Sequence, residues 1–125
     1  MNKLKYFSEK EFVCDGEICF DKMSKDLLKK LDLAREFSNT SFKITSSWRS
    51  KEHNTKVGGS AKSSHLNGLA IDIYCFDSVK RFHILDGLML AGFTRIGIAK
   101  NFIHADIDES KPVVFKCDAN GVEIV

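Results

Sequence analysis

Leu69-Ala70-Ile71-Asp72-Ile73-Tyr74-Cys75 reads as a β-strand, because β-branched and apolar residues alternate around an acid that an apolar run has no need of. Residues two apart in a strand share a face, so Leu69, Ile71, Ile73 and Cys75 form the side that helices cover, and Ala70, Asp72 and Tyr74 form the other. The same rule applied to Phe102 through Ile107 sets Ile103, Ala105 and Ile107 against Phe102, His104 and Asp106. If the two strands share a sheet, Asp72, His104 and Asp106 converge on one open face. Unpaired charge there is costly, and a bound cation removes the cost.

Working outward, Leu27, Leu28, Leu31, Ala34 and Phe37 recur at helical spacing, with Ser24 placed to cap the start and Asn39 to stop the helix. Phe42 to Thr45 follows as a short strand, and Ser50 to Lys56 as a polar helical turn that Gly58-Gly59 ends. After the strand from Leu69, Val79, Phe82, Leu85, Leu88 and Met89 mark a second amphipathic helix closed by Gly92. Thr94 to Ile98 and Phe102 to Ile107 form a hairpin turning near Lys100-Asn101, and Val113 to Lys116 adds an edge strand. The order predicts an α+β fold: a small, mainly antiparallel sheet with helices on one face and a site on the other.

His65 completes a possible site. It lies seven residues before Asp72, and Gly68 between them lets the backbone turn back over the strand. Two imidazoles and one carboxylate, His65, His104 and Asp72, suit zinc, which in catalytic centres takes three protein ligands and leaves a fourth position to water. Ala70 and Gly97 leave room beside it. His83 reads as an ordinary helix residue, while His53 stays open between a surface residue and a ligand.

The whole chain of 125 residues and 14.1 kDa is read as one domain, 1–125, large enough for its own core. Its 19 Lys and Arg against 17 Asp and Glu leave +2, with no run of five like charges, which argues against the concentrated basic face that nucleic acid or a membrane surface demands. The first ten residues hold no apolar core of a secretory signal, so cytoplasmic synthesis and reduced thiols are expected. Cys14 and Cys19 lack the second close pair of a zinc knuckle, and Cys75 reads as core.

These residues resemble the zinc peptidases of the M15 group, which include D-Ala-D-Ala carboxypeptidases and L-Ala-D-Glu endopeptidases acting on peptidoglycan. Ser63-x-His65-x-x-Gly68-x-Ala70-x-Asp72 fits the group's SxHxxGxAxD signature at every fixed position, and Phe102-Ile103-His104-Ala105-Asp106 is similar to its second, HxD-type segment. Ile44-Thr45-Ser46-Ser47-Trp48-Arg49 resembles the strand that ends in a substrate-binding arginine, and Glu52-His53-Asn54 with Val57-Gly58-Gly59 is similar to small phage-type members. The likeness runs over roughly residues 7–108.

The resemblance implies a hedgehog/DD-peptidase-like fold, zinc held by His65, Asp72 and His104, Arg49 acting on a substrate carboxylate or carbonyl, and Ser63 steadying the loop or touching substrate. It departs at Asn101, where many members carry an acid three residues before the last histidine as general base. Asp106 is therefore the expected base, ahead of Glu52, Asp108 and Glu109. The implied function is a zinc-dependent hydrolase of peptidoglycan stem peptides, as in a phage endolysin. It is expected to be a monomer, without nucleic acid or membrane insertion, reaching the wall after release or as part of a virion. The alternative is a zinc-binding recognition module of the same fold that does not catalyse.

Overall fold

A computed structural model of the chain describes residues 3–117. A two-stranded hairpin, β1 (Val13–Cys14) and β2 (Glu17–Ile18), turns through Asp15 and Gly16, both with positive φ. Helix α1 (Lys25–Ser38) follows, its first turn capped by Ser24 Oγ, which accepts from Leu27 N at 3.3 Å, and its end closed by a left-handed Asn39. Then come β3 (Ile44–Ser46), α2 (Lys51–Lys56, capped by Ser50), β4 (Ala70–Tyr74), α3 (Ser78–Leu90, capped by Asp77), β5 (Arg95–Ile98), β6 (Phe102–Asp106) and β7 (Val114–Cys117).

The last five strands form one sheet in the order β3-β4-β6-β5-β7, antiparallel at every step except β5 to β7, which run parallel. The α+β, mainly antiparallel architecture read from the sequence is the one observed, with strand edges within two residues of those expected. Ile71, Ile73, Ile96, Ile103 and Ala105 point to the side where α1 and α3 lie, and with Leu27, Leu31, Ile84 and Leu88 they make the core. Burying each of the larger ones contributes about 1.5–3 kcal/mol.

Two helical faces differ from expectation. Phe37 is 43 % exposed, because the buried stripe of α1 runs Leu27, Leu31, Ala34, Ser38 and leaves residue 37 a third of a turn away. In α3 the buried residues are Ile84, Gly87 and Leu88, while Val79, Phe82 and Met89 face outward. Gly87 decides this orientation. A Cβ there would overlap the Ala34 carbonyl oxygen, so the smallest residue of α3 marks the close helix crossing; of the expected stripe Leu88 is buried and Leu85 packs against the core, while the other three lie outside it.

Register places the polar residues. Asp72 on β4 stands opposite His104 on β6, and Ala70 opposite Asp106; on the far side of β6, His104 faces Gly97 and Asp106 faces Arg95. The face that carries them was expected to be open. Instead His65, Asp72, His104 and Asp106 are all buried, and only the end at Tyr74 is exposed. The segment between β3 and β4 folds over this face and brings its own polar groups, which a strand-by-strand reading does not reveal.

Candidate metal centre

His65 reaches the sheet from a single 3-10 turn, Ser64–Asn67. Ser63 Oγ caps that turn by accepting from His65 N at 3.2 Å, and Gly68 ends it at φ 70. A Cβ at Gly68 would overlap the Lys22 carbonyl oxygen, so both the left-handed backbone and the close approach require glycine. The turn is tied to the segment between β3 and α2, because Arg49 N donates to His65 O at 3.0 Å.

The imidazole orientations follow from their partners. His65 Nδ1 lies 2.7 Å from the Ser47 carbonyl oxygen, which only accepts, so Nδ1 donates there and Nε2 is turned toward Asp72 Oδ1 at 3.2 Å. His104 is held from the opposite side: Nε2 donates to Asp106 Oδ2 at 2.7 Å, and Nδ1 faces the same Asp72 Oδ1 at 3.0 Å. The three donor atoms, one each from His65, Asp72 and His104, lie within 4.8 Å of one another. Metal-binding histidines are oriented by just such partners on the second ring nitrogen.

Charge around the centre is balanced by two buried guanidinium groups. Arg49 Nη2 lies 3.5 Å from Asp72 Oδ2, while Arg49 Nε donates to Ser46 Oγ and Nη1 to Asn54 Oδ1. Arg95 Nε donates to Asp106 Oδ1 at 2.7 Å, the same oxygen that accepts from Asp108 N at 3.0 Å. Arg95 also donates to the Pro112 carbonyl oxygen.

Electrostatics follow this wiring. Burial raises the Asp72 carboxyl, but the His65 and His104 imidazoles beside it win and hold it well below the usual carboxylate range. Burial lowers the His104 imidazole, yet hydrogen bonds to Asp106 and Asp72 outweigh that and push it up to about 9. Asp106 is lowered in turn, mainly by its bond to His104 against the cost of burial. Asp108 is held down to about 2, because hydrogen bonds from Ser110 and Ser64 overcome burial.

The expected residues are brought together unequally. His65, Asp72 and His104 meet at one point; Arg49 adjoins Asp72; Ser63 caps the histidine turn and, with Arg49, lines a cleft of about 700 Å³ that also includes Lys51, Lys62, Asp108 and Lys111. Asp106, the expected base, does not line this cleft. It sits behind His104, away from Asp72, with both oxygens already accepting hydrogen bonds and 1 % of its surface exposed. Asn101 is exposed at the β5–β6 turn, and Glu52 is exposed on α2.

A family model described as Peptidase M15 matches residues 5–106, which span every strand and helix up to the end of β6. The chain belongs to the M15 peptidase family. Among curated proteins none matches it. M15 peptidases are generally zinc-dependent, and the group formed by His65, Asp72 and His104 is a candidate metal centre in this member.

Several residues at the site of this M15 chain escaped the sequence reading. Arg95 is one: it reads as the start of an apolar strand, and its pairing with Asp106 comes from cross-strand register alone. The Ser47 carbonyl that orients His65 leaves no trace in residue type. Neither does the Ser64 Oγ bond to Asp108 Oδ2 at 2.6 Å, which ties the histidine turn to the segment after β6.

Proposed function

We propose that the chain is a zinc-dependent peptidase that hydrolyses peptidoglycan stem peptides, of the D-Ala-D-Ala carboxypeptidase or L-Ala-D-Glu endopeptidase type, in the setting of a phage lysin. One observation carries the reading: one ring nitrogen each of His65 and His104 converges on a single Asp72 oxygen, and the outer nitrogen of each ring is already fixed by Ser47 O or Asp106. Two nitrogens and one oxygen, buried and oriented from behind, fit zinc in its three-ligand form. The bound metal would supply Lewis acidity and a water of lowered pKa.

The chain's own residues then divide the remaining work. His65, Asp72 and His104 hold the metal, and Asp106 positions His104 rather than taking a proton. Arg49 steadies Asp72 Oδ2 and borders the cleft, where its planar fork suits a substrate carboxylate or carbonyl. Lys51, Lys62 and Lys111 add positive charge along the same cleft, complementary to the carboxylates of a stem peptide. Of the remaining candidate acids, Asp108 alone lines that cleft, and the proton-accepting role falls to it. Glu52-His53-Asn54 and Val57-Gly58-Gly59 support the phage-type setting, in which a monomer meets the wall after release.

One observation favours a second reading, a recognition module that binds zinc without catalysis. Asp108 is ionised down to about pH 2 and bonded to Ser64 and Ser110, which makes it a weak base. Mass spectrometry of purified peptidoglycan incubated with zinc-loaded protein separates the two. Soluble stem-peptide fragments or freed D-Ala are expected. Neither product, across several wall types and with zinc retained, leaves the module.

A further inference from the structure

Away from His65, Asp72 and His104, a second set of donors meets where the N-terminal hairpin touches α2. Cys14 Sγ, an Asp15 carboxylate oxygen and a His53 ring nitrogen all lie within 4.8 Å of one another. A tetrahedral zinc-class ion bound at about 2.0–2.3 Å to such donors separates them by roughly 3.3–3.7 Å, so only small side-chain adjustments are needed. His53 Nδ1 is already 2.8 Å from Asp15 Oδ1.

The thiol is the telling member. Cys19 bonds Ser47 Oγ and approaches the Trp48 carbonyl, and Cys75 donates to Asp77 O. Cys14 is only 7 % exposed, yet its sulfur makes no hydrogen bond among the described residues, and it faces an imidazole and a carboxylate. Its neighbours are open to solvent on the outer side: the side chain of Asp15 is 46 % exposed and that of His53 25 %. The one cation close by among the described residues, Lys56 Nζ at 3.8 Å from Asp15 Oδ1, is itself 71 % exposed and can swing away.

We infer that Cys14, Asp15 and His53 form a second metal site for a zinc-class divalent cation, with an outer position open to water. Thiolate, imidazole and carboxylate together select borderline ions over magnesium or calcium. Such an ion clamps the β1–β2 hairpin to α2, the helix whose cap Ser50 directly follows Arg49. Clamped in this way, the hairpin holds the arginine side of the cleft in place. Metal binding at Cys14, Asp15 and His53 does not require the peptidase reading to hold.

Cobalt(II) titration of the full chain tests it, because of the two candidate metal groups among the described residues only this one includes sulfur. Two equivalents are expected, one of them accompanied by a thiolate-to-cobalt charge-transfer band in the near ultraviolet. Cys14→Ser should lose that band and one equivalent, His53→Gln should lose the band with the buried thiol left intact, and His65→Ala should keep the band and lose the other equivalent. A wild-type titration without the band, or a band that survives in both Cys14→Ser and His53→Gln, overturns the proposal.

Discussion

His104 and Asp106, two residues apart on one strand, are joined side chain to side chain, Nε2 to Oδ2 at 2.7 Å, and the far oxygen of Asp106 is held by Arg95 at 2.7 Å. The relay runs from a guanidinium through a carboxylate to an imidazole whose other nitrogen faces Asp72. It fixes which nitrogen of His104 is available to a metal.

Asp106→Asn is therefore expected to weaken zinc binding by about 10–100-fold, the usual cost of losing a partner on a ligand's outer nitrogen. Competition with a chromophoric chelator measures it. Unchanged affinity with abolished turnover would instead restore Asp106 as the base.

Arg95→Met should cost about 3–5 kcal/mol in urea unfolding, since it leaves the Asp106 carboxylate buried without its ion pair. A loss below about 1 kcal/mol, the range of an exposed pair, would mean that the pair is not buried in solution.

In the chelator-treated protein, His104 is pushed up to about 9 from its ordinary 6.5. A raised histidine contributes stability that is full below pH 6.5 and is lost as pH rises through about 9. The melting temperature of the metal-free form should fall across that window. Zinc must also displace this proton, so binding at pH 7 should release it, which calorimetry in buffers of different ionisation enthalpy detects. A flat profile with no proton release contradicts the assignment.

Gly68→Ala should destabilise by about 1–3 kcal/mol, the range for a non-glycine residue forced into an unfavourable backbone region. Because the same substitution collides with the Lys22 carbonyl and shifts the turn that carries His65, zinc affinity should fall together with stability. A drop in stability alone would show that His65 is positioned from elsewhere.

Much of the site was legible because strand periodicity is rigid. Asp72, His104 and Asp106 had to share a face once their strands paired, and a glycine before Ala70 allowed His65 to return to it. Their burial was not legible, since it depends on where residues 47–68 travel, and no local pattern encodes that path. Nor was the role of Asp106, which turns on Arg95 lying one strand away in register. The outward face of α3 was misread for a related reason: Gly87 contributes nothing to an apolar stripe but sets the helix crossing.

Peptidoglycan digestion by zinc-loaded wild type and Asp72→Asn in parallel, followed by mass spectrometry, tests the peptidase reading most directly, with folding of both checked by circular dichroism. Wild type is predicted to release stem-peptide fragments or D-Ala and Asp72→Asn to release none. Cleavage by Asp72→Asn at the wild-type rate, or no product from zinc-loaded wild type on any wall, would contradict it.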